Sequence, residues 1–164
     1  MSAWQDVIDD KLLRNLPYKI ELNRYGKIEM SPASNRHALL RGELMRLIQP
    51  RQPAGTALSK CAVQTSAGVK VPDVAWCSYD FFALQGDQTP FSVAPEICIE
   101  VVSPSNAAAE MEEKTALYFA AGAHEVWLVG LDGDIRVFGP EGARPRSQFA
   151  DFPARIELPC LRRH

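Results

Sequence analysis

Two kinds of apolar pattern run along the chain and predict its elements. Glu96-Ile-Cys-Ile-Glu-Val-Val-Ser103 is short, apolar and β-branched, which predicts a central strand covered on both faces. Between Ser34 and Ile48 the positions His37, Leu40, Leu44, Leu47 and Ile48 recur at three- and four-residue spacing. That is one apolar face of a helix, with Ser34 or Asn35 able to cap its start and Pro50 following its end. A second helix is predicted over about 107–121, opened by Pro104-Ser-Asn106 and stopped by Gly122. Strands are predicted over Tyr18 to Leu22 and Lys27 to Met30, joined by Asn23-Arg-Tyr-Gly26 in an N-terminal hairpin. Residues 57–76 carry two strands broken at Gly68, and 125–131 and 135–138 form a hairpin around Asp132-Gly133. A short amphipathic helix to about Leu16, a polar loop over 80–94 and a last strand near 155–158 complete the pattern. Strands and helices in this order imply a mixed β-sheet flanked by helices, an α/β (α+β mixed) class, in a single domain over 1–164.

Composition narrows the function without naming it. The 164 residues are 46% hydrophobic and 23% charged, which argues against wholesale disorder. No apolar run is long enough to span a bilayer, and the first residues lack the order of a signal peptide, so a cytoplasmic protein without membrane association is expected. Eighteen Lys and Arg against 20 Asp and Glu leave a net charge of −2, so no global positive field draws the chain onto nucleic acid. Basic residues that can meet phosphates are Arg36, Arg41, Arg144, Arg146, Arg162 and Arg163, which form no continuous patch in sequence. The four cysteines are widely spaced, and with no CxxC pair a structural zinc site is not expected.

Two local rules are broken in one neighbourhood, as happens at functional sites. Glu100 lies in the most hydrophobic strand, where period two puts Glu96, Cys98, Glu100 and Val102 on one face. A buried carboxylate is costly unless it is paired or bound to a metal. Lys114 sits at the centre of the helix face formed by Met111, Leu117, Tyr118 and Ala121, from which a lysine must either snorkel or find a partner. A third element, Pro72-Asp73, opens the strand ending at Trp76; it is either a turn or the second carboxylate of a site. Asp73 and Glu100 together could bracket one hard divalent cation, Mg²⁺ or Mn²⁺, with a lysine near the water it activates. Glu96 shares the face of Glu100 but stands ~13 Å away at ~3.3 Å per residue, too far to be a ligand.

An aspartate after proline, a strand acid and then a lysine resembles the PD-(D/E)XK nuclease superfamily. More specifically, Pro95-Glu-Ile-Cys-Ile-Glu-Val-Val-Ser-Pro-Ser105 is similar to the strand signature of the Uma2 restriction-endonuclease family. The Glu21 strand, the segment 26–32, His37 and the stretch Lys114 to Val129 match that family in order, over roughly 18–140. The resemblance implies a restriction-endonuclease-like core, metal ligands Asp73 and Glu100, and Lys114 as the catalytic lysine. Val102 stands where the superfamily's general pattern has its lysine, two residues after the strand acid. His37, Glu29 and Glu21 are implied as further residues that could line the site. The implied activity is a Mg²⁺- or Mn²⁺-dependent endonuclease acting on DNA, as a homodimer if both strands are cut symmetrically. The alternatives are a catalytically silent binding or assembly module with the same fold, and hydrolysis of a small phosphoester.

Overall fold

A computed structural model describes residues 2–51, 53–149 and 151–161. In chain order the elements are α1 (Ala3–Asp9), β1 (Tyr18–Leu22), β2 (Ile28–Pro32), α2 (Asn35–Arg51), β3 (Gly55–Ser59), β4 (Val63–Thr65), β5 (Gly68–Lys70) and β6 (Val74–Ser78). They continue with α3 (Tyr79–Gln85), β7 (Ile97–Val102), α4 (Ala108–Ala120), β8 (Glu125–Gly130), β9 (Ile135–Gly139), β10 (Gly142–Arg144) and a 3₁₀ turn at Pro159–Leu161. A six-stranded sheet has the order β10-β9-β8-β7-β6-β3. Only β7 and β8 in it are parallel, linked by α4 as a crossover; the other pairs are antiparallel. The mixed sheet with flanking helices is therefore as expected, and β1–β2 forms the expected N-terminal hairpin as a separate sheet.

The alternation in β7 divides the core. Ile97, Ile99 and Val101 face α2, where Leu40, Leu44 and Ile48 are completely buried against them. Cys98 faces the opposite way, toward Met111 and Tyr118 of α4 and Val126 and Leu128 of β8. A third cluster joins Trp4 of α1, Leu22 of β1 and Val69 of β5, so the hairpin β4–β5 holds β1 beside the main sheet. At Gly68 the backbone has φ +95°, and a Cβ there would sit 2.2 Å from the Leu22 carbonyl oxygen, so only glycine permits this approach. No helix among the described residues is long and apolar enough to cross a membrane.

Several elements differ from the sequence expectation. The first helix stops at Asp9 and not near Leu16, because residues beyond it have no surface to cover: Leu12 is 84% exposed. Pro50 lies inside the last turn of α2 and does not follow its end; the break is confined to an exposed turn, where Arg51 donates to the Leu47 carbonyl. At the other end Ser34 caps the helix, its hydroxyl accepting from the His37 N–H. The polar stretch 80–94 contains α3, capped by Ser78 and anchored by Phe81 packed edge-on against Phe91. Residues 57–76 carry parts of four strands and not two: Gly68 opens β5, just after the turn that joins it to β4 in a small hairpin, with β3 and β6 on either side. The expected last strand is reduced to an isolated bridge between Asp134 and Arg155. The basic tail Arg162, Arg163 and His164 lies outside the described residues.

Candidate active site

β6 runs antiparallel to β7 with Val74 opposite Ile99. Continuing that register by one residue sets Asp73, just ahead of β6, opposite Glu100 on the same face. α4 crosses this face and brings Lys114 and Tyr118, one helical turn apart, over the strand acid. The N-terminal hairpin closes the group from the side: Lys19 and Glu21, two apart on β1, share one face. The structure thus brings together Glu21, Asp73, Glu100 and Lys114, all buried.

The contacts are specific down to the oxygen. One Glu100 oxygen, Oε1, accepts from the Tyr118 hydroxyl at 2.7 Å and lies 3.1 Å from the Lys114 ammonium. The other, Oε2, meets the Lys19 ammonium at 2.7 Å. Asp73 Oδ2 accepts from the Val101 N–H at 2.8 Å, and Oδ1 meets Lys19 at 3.3 Å. Glu21 Oε1 accepts from the Val71 N–H at 2.8 Å and pairs with Lys114 at 2.8 Å. Three carboxylates face two ammonium groups, with both lysine side chains only about a tenth exposed.

This arrangement pushes neighbouring groups apart in acidity. Burial alone would raise the Glu100 carboxyl, but Lys114, Lys19 and the hydrogen bonds from Lys19 and Tyr118 hold it down at about 2. Asp73 moves the other way: burial and the charge of Glu100 raise it, and Lys19 and the Val101 N–H offset only part of that. For Lys114, burial favours loss of the proton, yet Glu100 and Glu21 overcome it and hold the ammonium well above the usual lysine range.

Asp73, Glu100, Lys19 and Lys114 line a cavity of about 240 Å³. His37, Arg41, Lys60, Ser103, Ser105 and Asn106 also line it. His37 is half-buried and held by Ser34, whose N–H and hydroxyl both reach Nδ1. Glu29 is elsewhere: 53% exposed, it lines an adjoining cavity of about 400 Å³ with Glu21, Lys70 and Lys114. Glu96 also stays away from the cavity, accepting from the N–H and hydroxyl of Ser78 at the start of α3. Among the described basic candidates only Arg41 lines the cavity; Arg36 donates to the Leu131 carbonyl and Arg144 pairs with Glu141 and Glu125.

Sequence reasoning missed Lys19, Lys60 and Tyr118. A signal for Lys19 was present, since strand alternation puts it wherever Glu21 points. Tyr118 also had one, since helical period sets it on the face of Lys114; Lys60 carried none, because its place depends on what faces it.

The donor set suits a hard divalent cation. One oxygen of each of two carboxylates converges on the Lys19 ammonium. Among the described residues no group of three or more His, Cys, Asp or Glu is spaced to hold a metal. Two carboxylates are nonetheless the usual protein share for Mg²⁺, which takes its other ligands from water and substrate oxygens.

The mixed sheet thus sets two buried acids, from adjacent central strands, beside a lysine of the crossover helix. The chain belongs to the Uma2 family, described as "Putative restriction endonuclease", which it matches over residues 8–162. Among solved structures it is similar to a "putative nuclease belonging to DUF820" from Anabaena variabilis. The TM-score is 0.66 at 17% identity, over 80% of this chain and 83% of that one, a likeness of fold. No curated protein matches the chain.

Proposed function

We propose that the chain is a Mg²⁺- or Mn²⁺-dependent endonuclease that hydrolyses DNA phosphodiester bonds. The reading is carried by one observation: Asp73 and Glu100 meet beside Lys114 in a cavity that Arg41 and Lys60 also line. Asp73 and Glu100 would hold the cation, through the oxygens that now face Lys19. Bound there, it would offset charge developing on the phosphoryl oxygens and lower the pKa of the attacking water. Lys114, paired with Glu100 and Glu21, would orient that water and stabilise charge as a hydrogen-bond donor. Arg41 and Lys60 give the phosphate path positive charge despite the chain's net charge of −2. With one site per chain, symmetric cutting of a duplex would use two copies.

The test is cleavage of supercoiled and linear DNA with Mg²⁺ or Mn²⁺. Asp73→Ala, Glu100→Ala and Lys114→Ala should each abolish cutting, with circular dichroism confirming that each variant is folded. Cutting that survives all three assigns the activity to another protein and defeats the proposal. A catalytically silent module is the competing reading, favoured by the ion pairs that Lys19 and Lys114 make with Glu100. Mn²⁺ that leaves the melting temperature unchanged at millimolar concentration would select it.

A further inference from the structure

The two acids are not held in the same way at both of their oxygens. Asp73 Oδ2 is fixed by the Val101 N–H, and Glu100 Oε1 by Tyr118 and Lys114. The remaining pair, Asp73 Oδ1 and Glu100 Oε2, are the oxygens that Lys19 meets. Both acids and Lys19 line the cavity. Lys19 belongs to β1, which is hydrogen-bonded to β2 and not to the six-stranded sheet. Its attachment at this point is through ion pairs, so its side chain can leave without breaking a ladder of the main sheet. Lys114 differs: it bridges Glu21 and Glu100 from a helix packed on the core.

We propose that Lys19 is the resident counter-cation of the site, and that a divalent cation binds by exchange, evicting its ammonium from between Asp73 and Glu100. This rests on the metal-dependent reading above. The contacts favour exchange: three acids meet two ammonium groups directly, and a divalent cation in place of Lys19 would match the three negative charges with three positive ones. Lys19 thereby serves two purposes. It keeps two buried carboxylates from repelling each other in the metal-free protein, and it sets a threshold that free metal must exceed. The evicted ammonium stays tethered at the cavity, where it adds positive charge facing an anionic substrate.

The probe is Mn²⁺ alone, titrated calorimetrically into the full chain. Lys19→Met should bind Mn²⁺ about tenfold or more tightly than the parent, since a competing charge is gone. In chelator it should melt at a lower temperature than the parent. Lys19→Arg, which keeps the charge, should gain no affinity. A second readout needs no variant: acetylation of the Lys19 amine, followed by mass spectrometry, should accelerate several-fold when Mn²⁺ saturates the site, while Lys114 stays protected. If Lys19→Met does not fold, this labelling decides alone. Mn²⁺ binding that depends on Glu100, but is no tighter in Lys19→Met and leaves Lys19 labelling unchanged, overturns the exchange and spares the metal site. Failure of both proteins to bind Mn²⁺ removes the exchange and the metal-dependent reading together.

Discussion

Glu100→Gln and Asp73→Asn each remove one negative charge from the same cluster, yet they should shift stability in opposite directions. The Glu100 carboxyl is held at about 2 against an ordinary 4.5. A group whose folded pKa is depressed stabilises the fold above its unfolded pKa, and that stability drains away as pH falls through the folded value. For Glu100 the difference is worth roughly 3 kcal/mol at neutral pH, lost between about pH 4.5 and 2. Glu100→Gln should therefore cost about 3 kcal/mol or somewhat more at pH 7, in keeping with the removal of one partner from a buried ion pair. Asp73 is raised by burial and by Glu100, so its neutral form suits the fold better. A raised acid favours the fold below its unfolded pKa, and that advantage is lost as pH rises through the folded value. Asp73→Asn makes the neutral state permanent, and its amide oxygen can keep the Val101 N–H bond. It should add about 0.5–2 kcal/mol at pH 7, the usual range when a functional residue held at a cost is replaced. Because both acids meet Lys19, the double variant should not equal the sum. Urea denaturation in chelator at pH 7 and pH 3 measures all of this. Equal losses for the two single variants at pH 7, or no loss for Glu100→Gln, would refute the electrostatic account.

Tyr118→Phe removes a fully buried hydroxyl that donates to Glu100 at 2.7 Å. The loss should be about 1.5–3 kcal/mol, with the acid limb of the stability curve moving to higher pH; an unmoved limb would deny Tyr118 its part. Gly68→Ala forces a Cβ onto the backbone carbonyls of Leu22 and Asn23, whereas Gly26→Ala, also at positive φ, meets open space. Thermal denaturation should find the first worse than the second by about 1–3 kcal/mol, and equal effects would mean that β5 is not pinned to β1.

Local pattern was enough for much of this molecule. Alternation placed Glu100 on the α4 side of β7, helical period put Lys114 among Met111 and Tyr118, and Asp132-Gly133 marked a hairpin whose glycine has φ +93°. These features follow from strand and helix geometry, which repeats over a few residues and so is written in nearby positions. What pairs with the two acids is not written that way. Lys19 lies 54 residues from Asp73 and 81 from Glu100, and its role exists only because register, crossover and hairpin packing bring three segments to one point. α3 escaped notice for a related reason: it is short, and it is secured by Ser78, Glu96 and Phe91 more than by its own period. Pattern determined which faces are buried; tertiary packing decided which buried charges meet, because the energy of a charge inside a protein depends on its neighbours in space and not on those in sequence.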